Sequence, residues 1–209
     1  MAYVLGFFAA DGTITFTKRK TYFWSINITD KDLLERIRDA VGSSHSISRR
    51  VKQSVNHKDL YRLQIGSKQM CEDLMSLGFT TNKANNIGLP KVPKGLFFDF
   101  LRGYFDGDGN VWVGHVNKKR DKPTLVIQTA FTSCSESFLF ELQQHLMSVG
   151  LGEGSLNMLK STKAYRLQYS TNDSLKLFDF MYNDTCHRNE LFLLRKKTKF
   201  DDYMKKMQP

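Results

Sequence analysis

The sequence contains the stretch Leu101-Arg102-Gly103-Tyr104-Phe105-Asp106-Gly107-Asp108-Gly109, and a related stretch, Val4-Leu5-Gly6-Phe7-Phe8-Ala9-Ala10-Asp11-Gly12, stands 97 positions earlier. A second pair of copies lies downstream, where Tyr61-Arg62-Leu63-Gln64 recurs 104 positions later as Tyr165-Arg166-Leu167-Gln168. The unequal offsets require a net insertion in the second half, which we place in the polar stretch 115–122. A period of about a hundred residues is too long for a solenoid, so the chain is predicted to be a duplicated domain.

Each half of the chain predicts the same order of elements: helix, strand, strand, helix, strand, strand, helix. Residues 25–29 alternate polar and apolar side chains, as a half-buried strand does. Residues 31–41 place apolar side chains at helical spacing, and Asp30 precedes them as a potential N-cap. Residues 46–55 and 60–65 are predicted to form a second hairpin. The fold class is therefore α+β, with an N-terminal half at 1–88, a linker at 89–96 and a C-terminal half at 97–209.

Bulk composition points to a polyanionic partner. The chain has 31 Lys and Arg against 21 Asp and Glu, a net charge of +10, with a sequence pI near 9.5. Such an excess favours binding to DNA or RNA, although a merely basic protein is the alternative on charge alone. The three cysteines form no CxxC pair and are expected to be reduced thiols. No apolar run is long enough to span a bilayer, so a soluble, intracellular protein is expected.

Both acidic-glycine stretches resemble the LAGLIDADG motif of homing endonucleases. The third, eighth and ninth motif positions are filled by Gly6, Asp11 and Gly12 in one copy and by Gly103, Asp108 and Gly109 in the other. Two copies in a duplicated chain are a strong signal, whereas one Asp-Gly is usually only a turn. The copies depart from the pattern at Val4, which replaces a leucine, and at Ala9, which replaces an aspartate that the second copy keeps as Asp106.

The resemblance implies a monomer that imitates a homodimer, with αββαββα halves forming a pseudo-twofold saddle of two antiparallel sheets. Glycine inside a helix costs about 1 kcal/mol relative to alanine, so Gly6 and Gly103 need a structural reason. Small residues three or four positions apart let two helix backbones approach closely. We therefore expect the two motif helices to pack side by side, which would bring Asp11 and Asp108 to a common site at their ends.

Two adjacent carboxylates repel each other unless a cation lies between them, and hard divalent ions prefer oxygen ligands. Asp11, Asp108 and the adjoining Gly12 and Gly109 are therefore predicted to bind Mg²⁺, or Mn²⁺ in its place, while Ca²⁺ could bind without supporting cleavage. The resemblance implies that Asp11 and Asp108 are catalytic, one for each DNA strand, and that the product is a staggered double-strand break. The run Asp106-Gly107-Asp108-Gly109-Asn110 is not a calcium loop, because its sixth and twelfth positions lack the required Gly and Glu.

A DNA-contacting surface is predicted on the polar faces of the strands. With Ile14 and Phe16 directed toward the helices, the alternation assigns outward polar residues that suit base edges and phosphates. In the first half these are Thr13, Thr15, Thr17, Arg19, Asn27, Ser48, Arg50, Lys52, Arg62 and Gln64. In the second half they are Asn110, Trp112, Gln128, Arg166 and Gln168. The expected partner is double-stranded DNA with a long pseudo-palindromic or asymmetric target, as in intron homing.

Lysines near the cleavage centre are a further expectation from the resemblance. Lys83 follows the last helix of the first half, and Lys196 and Lys197 follow that of the second. Lys83 and Lys197 are the predicted catalytic pair, and each could steady charge on a phosphate. A plain phosphate contact or a solvated basic helix is an equal alternative for them.

A non-cleaving nucleic-acid binder on the same scaffold is the main alternative function. An RNA maturase or a DNA-binding regulator could keep the basic strand faces without the chemistry. The presence of both Asp11 and Asp108 favours catalysis, since an inactive descendant would be free to lose either residue. An intein endonuclease is disfavoured because the chain has no Cys or Ser start and no His-Asn end.

Overall fold

The structure is a computed structural model that describes residues 1–18, 21–51, 59–81, 87–119, 121–182 and 191–207. By spatial contacts the chain divides into two compact units, Met1–Gly107 and Asp108–Pro209. This spatial division does not test the predicted repeat boundaries at 1–88, 89–96 and 97–209, which stay a prediction. No described helix is long and apolar enough to cross a membrane.

The first unit contains four helices and one antiparallel sheet among its described residues. The helices are α1 (Ala2–Asp11), α2 (Lys31–Ala40), α3 (Lys68–Ser76) and α4 (Phe97–Asp108), the last preceded by a 3-10 turn at Lys94–Leu96. The strands are β1 (Gly12–Phe16), β2 (Tyr22–Ile28), β3 (Ser48–Arg50) and β4 (Leu60–Gly66), in the order β1-β2-β4-β3.

The second unit has a sheet of the same strand order and three helices among its described residues. Its strands are β5 (Gly109–Val116), β6 (Thr124–Ser133), β7 (Ser155–Leu159) and β8 (Ala164–Tyr169), in the order β5-β6-β8-β7. Its helices are α5 (Glu136–Ser148), α6 (Thr171–Tyr182) and α7 (Leu194–Met207). The predicted α+β class with duplicated αββαββα halves is confirmed, and α7 extends it.

Apolar side chains on one face of each sheet form the cores. In the first unit Ile14, Trp24 and Leu63 are almost fully buried, and the Phe8 ring of α1 packs edge-on against Trp24 with ring centroids 5.9 Å apart. In the second unit the same face presents Phe131 and Leu167, both fully buried. The strand alternation predicted from the sequence thus places each core between its sheet and its helices.

The hairpin of the second sheet accounts for the insertion inferred from the repeat offsets. Gly12 pairs with Ile26, 14 positions later, whereas Gly109 pairs with Phe131, 22 positions later. The added length goes into longer strands as well as the tip, since β5 runs to Val116.

Three local predictions need correction. Phe16 was expected to face the helices but is 48% exposed and packs at a tilt against Tyr22, because the strand ends there and none of the described helices covers it. Asp30 is the N-cap residue of α2, but its side chain makes no capping hydrogen bond. The predicted strand at 46–55 is confined, among its described residues, to Ser48–Arg50.

Candidate metal centre and nucleic-acid interface

Two glycines let α1 and α4, both within the first unit, pack backbone against backbone. A β-carbon built on Gly6 would lie 1.9 Å from the carbonyl oxygen of Phe100, and one built on Gly103 would lie 2.0 Å from that of Tyr3. Such distances are far shorter than van der Waals contact, so no side chain fits at either position. The cost of glycine in a helix is therefore offset by the close approach of the two backbones.

Polar side chains fix the register of this helix pair. The hydroxyl of Tyr3 on α1 donates a 2.7 Å hydrogen bond to the carboxylate of Asp106 on α4, and both side chains are almost fully buried. The buried guanidinium of Arg102 lies over the Tyr3 ring, 5.5 Å from its centroid, and donates to Asp99 at 2.7 Å. The aspartate that the first motif copy lacks therefore serves helix packing in the second copy.

The packed helices determine where the first motif aspartate lies. Asp11 is the last residue of α1, is half-buried, and has its Oδ2 atom 3.2 Å from the position of a β-carbon built on Gly107 of α4. Gly12 follows as the first residue of β1, and the Phe8 ring fills the space where its side chain would be. A carboxylate at the C-terminal end of a helix adds to the negative end of the helix dipole, a combination that a nearby cation stabilises.

The second motif aspartate occupies the same local position. Asp108 is half-buried and ends α4, and Gly109 begins β5. In the second unit, the buried ammonium of Lys196 donates a 2.6 Å hydrogen bond to the Gly109 carbonyl, and Lys199 donates to the Val111 carbonyl at 2.9 Å. Because β5 is an edge strand, these two ammonium groups satisfy carbonyls that no neighbouring strand reaches.

The predicted lysines fall in different surroundings. Lys197 pairs with Asp201 at 3.0 Å and lies 5.7 Å from the Phe178 ring centroid, on the side of α7 that packs against α6. The neighbouring Lys196 is the residue that reaches the second motif copy, and the sequence alone gave no reason to choose it over Lys197. Lys83 lies outside the described residues, as do Arg19 and Lys52.

The donors available to a metal ion at each motif end are hard oxygen atoms. The first end offers the Asp11 carboxylate with the Gly12 carbonyl, and the second offers the Asp108 carboxylate, since the Gly109 carbonyl already accepts from Lys196. Among the described residues there is no cluster of three or more His, Cys, Asp or Glu that could hold a metal. A site built from one carboxylate and backbone oxygen atoms suits Mg²⁺, which keeps several of its own waters, and not zinc, which prefers nitrogen and sulfur ligands.

The polar face of the first sheet contains the predicted side chains in register. Asn27, Arg62 and Ser48 form one row across three strands, since Asn27 pairs with Arg62 and Arg62 with Ser48. Pairing likewise aligns Thr13, Ser25 and Gln64, and Arg50 lies on the same face opposite Leu60. Thr15 is exposed on this face, whereas Thr17 lies beyond β1, where its hydroxyl accepts a hydrogen bond from the Thr21 amide.

The polar face of the second sheet is arranged in the same way. Trp112 pairs directly with Gln128, and Asn110, Ala130 and Gln168 form the next row. Arg166 lies one further row along, between Thr132 and Asn157. Thr132 and Asn157 share this face but were not among the sequence-predicted contacts. The polar-apolar alternation of residues 155–158, and the even spacing of Thr132 from Gln128, were the signals that could have found them.

Comparisons with known proteins agree with this architecture. The sequence matches the family model for the LAGLIDADG-like domain over residues 1–76 and 98–180. A search of proteins with curated functions found no significant match.

Solved structures of similar fold include the I-LtrWI LAGLIDADG homing endonuclease bound to target DNA, with a TM-score of 0.62 and 14% identity over 97% of this chain and 87% of that one. The LAGLIDADG meganuclease I-AabMI bound to uncleaved DNA has a TM-score of 0.61 and 16% identity, over 97% of this chain and 88% of that one. I-SmaMI bound to uncleaved DNA target in the presence of calcium ions has a TM-score of 0.60 and 14% identity, over 98% of this chain and 89% of that one. The fold is thus that of LAGLIDADG homing endonucleases, and the two-part match to the family model shows that this chain belongs to the LAGLIDADG-like domain family.

Proposed function

We propose that the protein is a site-specific endonuclease that hydrolyses both strands of double-stranded DNA and leaves a staggered break. The observation that supports this most directly is the helix pair in which Gly6 and Gly103 allow backbone contact and each helix ends at an acidic motif residue. The Asp11 and Asp108 side chains are not part of the apolar cores, and their negative charge lies at the helix ends where the helix dipoles disfavour it. A role in binding a cation would account for their presence there.

The metal would be held by Asp11 with the Gly12 carbonyl and by the carboxylate of Asp108. The Gly109 carbonyl, predicted as a further donor, already accepts from the Lys196 ammonium, whose charge disfavours a metal ion on the same oxygen atom. Mg²⁺ bound there would activate water and stabilise the leaving 3′ oxygen of the phosphodiester. The half-buried setting of both carboxylates favours an ion that retains some of its waters, and Mn²⁺ would satisfy the same donors. I-SmaMI is bound to uncleaved DNA target in the presence of calcium ions. We propose that Ca²⁺ binds this chain without supporting cleavage.

Lys196 is proposed to support the second motif end. Its ammonium holds the Gly109 carbonyl, and α7 keeps it there because Phe178 and Phe200 stack with ring centroids 5.3 Å apart. A positive charge at this point reduces the negative potential at the end of α4, and we propose that it thereby helps to stabilise charge on a phosphate bound at the motif. Lys83 remains the prediction for the first half. In the second half we propose Lys196 in place of the predicted Lys197, because Lys197 is paired with Asp201 on the same helix.

DNA binding is proposed to occur through the polar faces of both sheets. These faces combine Arg50, Arg62 and Arg166 with amide and hydroxyl side chains, which suit phosphates and base edges. The fold neighbours I-LtrWI and I-AabMI are themselves bound to DNA in their structures. We also propose that the protein acts as a monomer on a long target, since one chain supplies both motif copies.

The decisive experiment is selection of cleaved sequences from a random pool of duplex DNA with Mg²⁺, followed by cleavage of a plasmid that contains the selected site. Linear product with Mg²⁺ or Mn²⁺, and intact plasmid with Ca²⁺ or a chelator, is the expected result. Tight, sequence-specific binding with no cleavage in the presence of either metal would contradict the nuclease hypothesis and favour the non-cleaving DNA regulator. Preference for a structured RNA over every duplex DNA would favour the maturase.

A further inference from the structure

Two glutamine side chains on the second sheet form a hydrogen-bonded pair on its polar face. The Nε2 group of Gln168 donates to the Oε1 atom of Gln128 at 3.0 Å, and both side chains are half-buried. The amide group of Gln128 is thereby fixed in orientation, with its own Nε2 hydrogens directed away from Gln168. One lone pair of its carbonyl oxygen is still available, so Gln128 offers a donor and an acceptor side by side.

An exposed indole lies next to this pair. Trp112 is directly opposite Gln128 in the antiparallel register, a position at which β-carbons are about 5 Å apart. The indole is 41% exposed, and its cross-strand partner Gln128 is polar. Gly114 makes room for it, since a β-carbon there would lie 2.4 Å from the six-membered ring of Trp112. The ring therefore lies flat along its own strand.

The first sheet has a different composition at the matched positions. Gly12 corresponds to Gly109 and Ile26 to Phe131 in the two registers, so Thr15 stands in place of Trp112 and Phe23 in place of Gln128. Gln64 corresponds to Gln168 but has no glutamine to orient. The amide pair with its adjoining indole is thus specific to the second sheet.

We infer that Gln128, oriented by Gln168, reads an adenine in the major groove, while Trp112 packs against the methyl group of the thymine paired with it. Adenine presents an acceptor at N7 and a donor at N6, which match the Nε2 hydrogens and the carbonyl of one glutamine amide. Thymine presents a 5-methyl group on the same groove edge, and an exposed aromatic ring gains from covering it. This inference rests on the proposed DNA binding, and it names one base pair in the half-site contacted by the second sheet.

The base preference is tested by selection of bound sequences, in Ca²⁺ so that cleavage plays no part. The wild type is expected to enrich an A·T pair at one position of one half-site only. The Gln128→Ala variant should lose that enrichment, with discrimination at that position falling about tenfold, and leave the other positions unchanged. Asn157→Ala is the matched control on the same face and should leave that position intact.

Variants of Gln168 distinguish its proposed role in orienting Gln128 from a merely structural role. The carboxylate introduced by Gln168→Glu can only accept, so the Gln128 amide has to turn its Nε2 group toward position 168 and present its carbonyl to the DNA. The adenine preference should be lost, and overall affinity should also fall because the new charge repels phosphates, so the selected base is the readout. Gln168→Ala should broaden the preference. If Gln168→Glu selects the same base as the wild type, the orienting role is wrong.

The methyl contact is tested on the selected DNA by replacing the thymine of that pair with deoxyuridine. The wild type should bind the substituted DNA several-fold more weakly, whereas Trp112→Ala should bind both DNAs equally. Equal binding by the wild type, or a Gln128→Ala pool identical to that of the wild type, overturns the inference while the proposed function stands. Failure of the wild type to bind any duplex DNA would contradict both the inference and the proposed function.

Discussion

The ammonium of Lys196 donates a hydrogen bond to the carbonyl of Gly109 across 2.6 Å, so a helix near the end of the chain is tied to the last residue of the second motif copy. Lys196 is separated from that motif by most of the second unit in sequence, yet it is buried against the first residue of β5. Its neighbour Lys197 turns to Asp201 on the same helix instead. This division of roles between adjacent lysines can be measured.

Lys196→Met is expected to lower the cleavage rate by about tenfold or more, because it removes positive charge beside the second motif end. Lys197→Met is the matched control and should have a small effect, since a part-exposed ion pair contributes about 1 kcal/mol or less to stability. Single-turnover cleavage and thermal unfolding would be measured for both variants. Comparable loss of activity in the two would mean that Lys196 has no distinct role.

Replacement of either motif aspartate should separate binding from cleavage. Asp11→Asn and Asp108→Asn each keep the side-chain shape but remove the charge that holds a divalent ion. We expect each variant to stop making double-strand breaks on supercoiled plasmid while binding the target with nearly unchanged affinity. A variant that still cuts both strands at the normal rate would exclude its aspartate from metal binding.

The close approach of α1 and α4 predicts a strong asymmetry among glycine substitutions. Gly6→Ala should destabilise the fold by about 3 kcal/mol or more, since its β-carbon meets a backbone oxygen that cannot move aside. Gly95→Ala is the control, because a β-carbon there meets nothing within 4 Å, and it should change stability by less than about 0.5 kcal/mol. Urea unfolding measures both, and similar midpoints would contradict the helix contact.

Adjacent arginines on β3 should differ in their contribution to DNA binding. Arg50 lies on the polar face, opposite Leu60, whereas Arg49 lies on the other face and is paired with Asp59. Affinity should fall steeply with salt, and Arg50→Gln should reduce the slope of log K against log [salt] by about 0.9 if that arginine neutralises one phosphate. Arg49→Gln should leave the slope unchanged. A flat salt profile for the wild type would argue against the basic strand faces as the binding surface.

Two buried tyrosines should respond oppositely to loss of the hydroxyl group. The Tyr169 hydroxyl has no hydrogen-bond partner among the described residues, so Tyr169→Phe should raise stability by about 1 kcal/mol. The Tyr3 hydroxyl donates to buried Asp106, so Tyr3→Phe should lower stability by about 2 kcal/mol. Thermal unfolding at neutral pH distinguishes the two, and stabilisation of both or neither would contradict the assignment.

Alkaline pH gives a second measure of Tyr169. Burial, and to a lesser extent the charge of Asp173, raises the pKa of its hydroxyl well above the usual value near 10. The unfolded chain therefore loses this proton at lower pH than the folded chain does. Its contribution to the free energy of unfolding is complete below about pH 10 and declines as pH rises toward the raised pKa. Tyr169→Phe should show a shallower decline, measured by urea unfolding between neutral pH and pH 11.

Local patterns along the chain were enough to predict the repeat, the strand faces and the ends of the motif helices. The Asp-Gly steps mark the change from helix to strand at Asp11 and Asp108, because the chain passes there from helical to extended spacing. Period-two alternation likewise placed Asn27, Arg62 and Ser48 on one face, and the register confirms it. Phe16 failed this rule, since alternation at the end of a strand does not say whether a helix covers it.

The sequence by itself determined that the chain is duplicated and that each half has its own acidic helix end, since spacing and composition are properties of the chain alone. Only the tertiary structure decided that Gly6 meets Phe100, that Lys196 and not Lys197 reaches Gly109, and that Gln168 orients Gln128. The reason is physical: periodicity states which face a side chain occupies, whereas the partner on that face is fixed by register and by packing between segments far apart in sequence.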